Sequence, residues 1–212
     1  MILQKCQTGI NGVITNNEMI RTNSYGSVIT IKANSADGKV FNYDTIETLG
    51  SSYSDIDIEA AKKVTNDGLI VTEGRRGNIA ITVTGADGTV TNSGTIRAQM
   101  YDSRIDIAAT GIESAVTNEE GATIETLGNN SPIKITTAGS VTNDSMIRTT
   151  GLGGNNHPDI WINFFQLDKS FLPAHLWHIE IENNNVESVF LFVEIDCFLS
   201  AIDMRYLISE TI

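Results

Sequence analysis

Asp57 and Asp106 are the two carboxylates of this sequence whose placement best suits acid–base chemistry. Each stands between the isoleucines of an Ile-x-Ile pair (Ile56/Ile58 and Ile105/Ile107), where strand alternation turns the middle residue outward. If the segments stack as strands with one more between them, the carboxylates lie about 9–10 Å apart. That is the wide limit of the roughly 6.5–9.5 Å that lets an inverting glycosidase hold a water between its acid and its base. The other outward positions are Thr30, Asp55, Asn78, Ala80, Arg104 and Lys134, a mixed set. A solvated face is therefore expected, with no catalytic residue.

Other chemistry is weaker still. His157, His175 and His178 include a His-x2-His pair but no fourth ligand at a recognisable spacing, so no metal site is expected. "SADG" and "GADG" resemble pieces of calcium-binding turns, but the glycine-rich nonapeptide is missing and ordinary turns are the better reading. No phosphate-cradling glycine loop and no Gly-x-Ser-x-Gly elbow occur. The sequence calls for no cofactor.

The totals narrow the class. The chain has 212 residues, a formal net charge of −12, 41% hydrophobic and only 7% aromatic residues. Phosphate backbones need Lys and Arg to release their counterions, so no nucleic-acid partner is expected. No apolar run approaches the roughly 18 residues of a transmembrane helix, so no membrane span is expected, and the start "MILQKCQTG" does not read as a signal peptide. Cys6 and Cys197 sit near opposite ends and suggest no disulfide framework.

The elements that would position these residues are announced by a repeat. "VTNDGLIVT", "VTNSGTIRA", "VTNEEGATIET" and "VTNDSMIRT" are near copies, anchored on an asparagine. The anchors are Asn16, Asn42, Asn66, Asn92, Asn118 and Asn143, spaced by 26, 24, 26, 26 and 25 residues. Two positions before each stands Ile14, Val40, Val64, Val90, Val116 or Val141; an isoleucine follows four positions after, delayed to Ile124 in the fifth copy by an inserted "EG". Two residues beyond it comes Thr in five copies and Ala98 in the other. Ile-x-Ile pairs recur from Ile29/Ile31 to Ile160/Ile162, separated by Gly, Asn, Asp and Ser turns.

Each unit thus holds about three short strands, none able to bury its apolar face alone. Stacking the units solves this, and a period of 20–50 residues is the usual mark of such repeat folds. The expected fold is all-β: a parallel β-solenoid of about six coils with repeats of ~25 residues, a rod roughly 25–30 Å long. A buried asparagine carries donors on one side and an acceptor on the other, so stacked copies can bond above and below in a ladder. Asn also tolerates the left-handed backbone that a tight corner needs.

Residues 12–150, with their N-x-G-x-I character, resemble the repeats of autotransporter passenger domains and filamentous haemagglutinin-like adhesins. That resemblance implies a right-handed β-helix, exported to the cell surface or beyond it. The chain departs from those families in being short and in showing no translocator barrel.

After residue 156 the composition changes. Six of seven Phe, both Trp and all three His follow, and the segment carries −7 of the −12 charge. Residues 1–156 are read as the solenoid and 157–212 as a C-terminal cap or interaction segment. Candidate interface residues are Ile2 and Leu3 at one end and Trp161, Phe164, Phe165, Trp177, Phe190 and Phe192 at the other. A solenoid exposes unpaired strand edges at its ends, and the sequence shows no cap before the first unit. The expectation is a non-enzymatic structural or adhesive rod, self-associating as a homo-oligomer or end-to-end filament, with a carbohydrate or cell-surface ligand possible. The alternative is a carbohydrate-active β-helix, a polysaccharide depolymerase or spike fragment.

Overall fold

The computed structural model describes residues 3–6, 12–151 and 160–164. Short strands form because β-branched residues alternate with small polar ones between turn residues. The first coil contributes β1 (Leu3–Cys6), β2 (Val13–Asn16) and β3 (Ile20–Thr22). The second holds β4 (Ile29–Ala33), β5 (Lys39–Asn42) and β6 (Thr45–Thr48), and the third β7 (Ile56–Ala60), β8 (Lys63–Asn66) and β9 (Leu69–Thr72). In the fourth are β10 (Ile79–Val83), β11 (Thr89–Asn92) and β12 (Thr95–Ala98); in the fifth, β13 (Ile105–Ala109), β14 (Ala115–Asn118) and β15 (Thr123–Thr126). The sixth has β16 (Ile133–Thr137), β17 (Ser140–Asn143) and β18 (Met146–Thr149), and β19 (Ile160–Phe164) follows.

Equivalent strands pair in parallel from coil to coil. Sheet A runs β1-β4-β7-β10-β13-β16-β19, sheet B from β2 to β17 and sheet C from β3 to β18. The result is a right-handed parallel β-solenoid, without a helix among the described residues. Six copies of the unit bound about five full turns, so the rod has slightly fewer turns than the copies counted in the sequence. β19 carries sheet A past residue 156, pairing Ile160 with Ile133 and Ile162 with Ile135.

Register is identity. Val64, Val90, Val116 and Val141 oppose one another, as do Ile70, Ile96, Ile124 and Ile147. On sheet A, Ile56, Ile79, Ile105 and Ile133 stack beside Ile58, Ile81, Ile107 and Ile135. All these side chains are buried and form one core down the axis, each contributing about 1.5–3 kcal/mol by leaving water. The threonines at Thr22, Thr48, Thr72, Thr126 and Thr149 point inward with them. At Gly94 the coils come so close that a Cβ would lie 2.1 Å from the Gly68 carbonyl oxygen. Only glycine admits that approach.

Candidate functional site

Sheet A places the candidate carboxylates on its outer face. Its register aligns Thr30, Asp57, Ala80, Asp106 and Lys134 in one column and Lys32, Glu59, Thr82, Ala108 and Thr136 in the next. Ala80 is the short member, and above it opens a shallow notch of about 150 Å³ lined by Lys32, Asp57, Ile58, Glu59, Ala80 and Thr82. Burial, with a smaller push from the neighbouring Asp55, raises the Asp57 carboxyl above the ordinary carboxylate range, while Lys32 acts in the opposite sense. The other acids are tied to cations. Glu59 lies 2.9 Å from Lys32 Nζ, and Asp106 lies 2.8 Å from Arg104 Nε. The face is mixed in charge, and Asp106 pairs with Arg104, the residue just before β13, rather than with Asp57.

The outer face of sheet C holds charge in a way that sequence reasoning missed. Its register stacks Arg21 on Glu47, then Val71, Arg97, Glu125 and Arg148. Glu125 is 1% exposed. Arg97 Nε donates to its Oε1, and Arg148 donates to its Oε2 through Nε at 2.8 Å and Nη2 at 2.7 Å. Glu47, also buried, accepts from Arg21 Nε. A glutamate between Ile124 and Thr126, on the alternate face from both, reads as a solvated residue, and only the arginines one coil away on either side signal its burial.

At the corner between sheets B and C stand the six anchoring asparagines. Asn16 Nδ2 donates to Asn42 Oδ1 (2.7 Å), Asn42 to Asn66 (2.7 Å), Asn66 to Asn92 (2.8 Å), Asn92 to Asn118 (2.8 Å) and Asn118 to Asn143 (2.9 Å). Each of these five Nδ2 groups also reaches a backbone carbonyl of the next coil, such as Asn92 to Thr123 O at 3.2 Å. A reversed amide would set oxygen against oxygen there, so the ladder has one direction, from the first coil to the last.

The anchoring asparagines do not adopt the left-handed backbone that Asn tolerates. That conformation recurs coil by coil at the corner between sheets C and A, where Gly26, Tyr53, Arg76, Asp102 and Asn130 occupy φ values of 54–62°; Asp87 and Glu113 between sheets A and B, and Gly121 between sheets B and C, also have positive φ. The five C–A positions follow one another in successive coils. Their amides bond to the next coil: Gly26 N to Ser52 O, Tyr53 N to Arg75 O, Arg76 N to Tyr101 O and Asp102 N to Asn129 O. The corner turns the chain between sheets within six or seven residues, and the inter-coil bonds hold it there. Its side chains also interlock. Arg76 Nη1 donates to the Tyr53 hydroxyl, Arg76 Nε lies 3.5 Å from Asp102, and Asn130 Nδ2 donates to Asp102 Oδ1 at 3.2 Å. The Arg75 guanidinium sits 4.4 Å from the centre of the Tyr101 ring, and Tyr25 meets Tyr53 edge-on at 6.1 Å. The bond from Asn130, then the pairing with Arg76 and Arg75, lowers the Asp102 carboxyl below its ordinary range. Gly26, Asp102 and Asn130 are residue types that tolerate this backbone, whereas Tyr53 and Arg76 give no sign of it.

Of the proposed interface residues, Leu3 lies in β1, and Trp161 and Phe164 lie in β19. Ile2, Phe165, Trp177, Phe190 and Phe192 lie outside the described residues, as do His157, His175 and His178. At the first coil, β2 and β3 are the terminal strands of sheets B and C, with Val13 42% and Met19 51% exposed beside them. Among the described residues no donor reaches Asn16 Oδ1. No group of three or more His, Cys, Asp or Glu there is arranged to hold a metal, and no helix there is long and apolar enough to cross a membrane.

The chain matches no family model, no curated protein and no solved structure.

Proposed function

We propose that this protein is a non-enzymatic structural or adhesive β-solenoid that self-associates end to end, at the cell surface or outside the cell. The observation that carries this reading is the first coil. There two parallel sheets terminate in β2 and β3, apolar side chains are exposed beside them, and the asparagine ladder offers an acceptor, Asn16 Oδ1. An unpaired strand edge is a template for another chain. A second copy seated in the same orientation extends the parallel pairing, whereas two first coils face to face set amide oxygen against amide oxygen. The contact is therefore head-to-tail and open, the kind that builds filaments. The surface location rests on the likeness of the repeats to autotransporter passengers and haemagglutinin-like adhesins.

A carbohydrate-active reading has one observation in its favour, the raised carboxyl of Asp57 in the notch. Against it stands Asp106, which is engaged by Arg104. Electron microscopy and light scattering of the purified chain test the main reading. End-to-end rods or larger oligomers at micromolar concentration support it. A strict monomer over that range overturns it.

A further inference from the structure

The corner between sheets C and A gathers surface groups that no other part of the described chain matches. Ten large hydrophobic side chains are exposed among the described residues, and five of them (Tyr25, Tyr53, Met100, Tyr101 and Leu127) belong to this one corner. Tyr25, Tyr53 and Tyr101 leave 70%, 45% and 40% of their area in solvent. Arg75 and Arg76 stand between the rings.

These side chains are kept against local cost. A left-handed φ suits glycine, which the second-coil turn uses at Gly26, where an added Cβ would meet nothing within 4 Å. Tyr53 and Arg76 occupy the same conformation with bulky side chains, a strain of order 1 kcal/mol each. Arg75 Nε is buried without a hydrogen-bond acceptor among the described residues, a further loss. Strained positions that break a local rule mark sites where the side chain is needed for something other than folding.

The geometry selects the partner. From Gly26 to Asn130 the ridge spans four coil spacings, about 19 Å. A convex strip of that length and one turn in width falls well short of the roughly 800 Å² per partner of a stable protein interface. An extended peptide would need backbone groups to pair with, but the amides of Gly26, Tyr53, Arg76 and Asp102 are spent on the next coil. Recognition must come from side chains: flat aromatic faces, guanidinium forks and the Asp102 and Asn130 acceptors. Those groups suit a ring with an apolar face and a rim of hydroxyls, and one pyranose unit is about as long as one coil spacing. Arg75 and Arg76 are both paired with Asp102, and a chain of net charge −12 repels a polyanion.

We propose that the C–A corner, through Tyr25, Tyr53, Arg75, Arg76 and Tyr101, is a binding ridge for a neutral linear glycan lying along the rod. This rests on the adhesive side of the proposed function and is independent of self-association. Isothermal titration of the whole chain with maltohexaose, cellohexaose and chitohexaose, and with polygalacturonate at two salt concentrations, tests it. At least one neutral hexasaccharide binds, and Tyr101→Ala weakens it about tenfold or more. Tyr53→Gly weakens it as strongly without lowering the unfolding temperature, because glycine relieves the strained backbone. Binding by none of the three neutral probes overturns the proposal, as does binding that both variants retain. Binding confined to polygalacturonate and lost with added salt also overturns it, in favour of a polyanion. Filament formation by both variants, followed by microscopy, keeps the outcome separate from that of self-association.

Discussion

Two corners of the same coil solve one problem in opposite ways. Where sheet B meets sheet C, every coil places the same asparagine, five of the six buried, each bonded to its neighbours in the ladder. Where sheet C meets sheet A, five different residues hold one left-handed conformation, and most of their side chains face water. Inter-coil amide bonds hold the backbone at both corners. At the first, one repeated side chain bonds its own copies in the interior; at the second, unlike side chains interlock at the surface. Uniform columns thus mark where the rod is held together, and variable columns over a uniform backbone mark where it meets other molecules.

The sharpest way to break that contrast is Asn92→Leu. It strands the Asn66 donor and the Asn118 acceptor in the core, at about 1–3 kcal/mol for each. Urea unfolding should show a loss of about 3 kcal/mol or more; a loss below 1 kcal/mol would show that the ladder is ornamental. Next comes Glu125→Leu, which leaves Arg97 and Arg148 without their shared carboxylate. Both arginines are about a third exposed and can turn to solvent, so about 1–2 kcal/mol is expected, measured the same way. Arg76→Gly at the second corner should leave stability little changed, because relief of the left-handed backbone offsets the lost contacts with Tyr53 and Asp102. A large destabilisation would erase the distinction between the corners.

The smallest effects concern two aspartates shifted in opposite directions. Burial raises Asp57, so the folded state holds its proton longer than the unfolded chain does, and stability falls as pH climbs from the ordinary carboxylate value through the raised one. Asp57→Asn removes that fall and should be the more stable protein at neutral pH. Asp102 is lowered, so its contribution is present above the unfolded value and disappears as pH drops through the folded one. Asp102→Asn should therefore lose stability near neutrality and match the wild type in acid. Thermal unfolding across pH 3–8 checks both signs.

How much of this was legible in the sequence follows from the same contrast. Val90, Asn92, Ile96 and the Ile-x-Ile pairs stand in register because stacking sets like against like, and a buried column tolerates few alternatives. The fold and the six stacked asparagines could be read from that identity. Tyr53, Arg76 and Asp102 share only a backbone angle, and a backbone shared by unlike residues leaves no pattern in composition. Glu125 was hidden for a related reason: its burial depends on Arg97 and Arg148, each more than 20 residues away.

The constant step between paired strands has a kinetic consequence. Asn92 meets Asn118 across 26 residues and Asn118 meets Asn143 across 25, so each new coil closes a loop of nearly the same length. Closure entropy grows only with the logarithm of loop length. Adding a coil at the growing face therefore costs about the same whether the rod is short or long. Such a chain can fold by accretion, one rung at a time, as its residues are delivered from the N-terminal end. Its folding speed is set by how the first pair of rungs nucleates, not by how long the rod becomes.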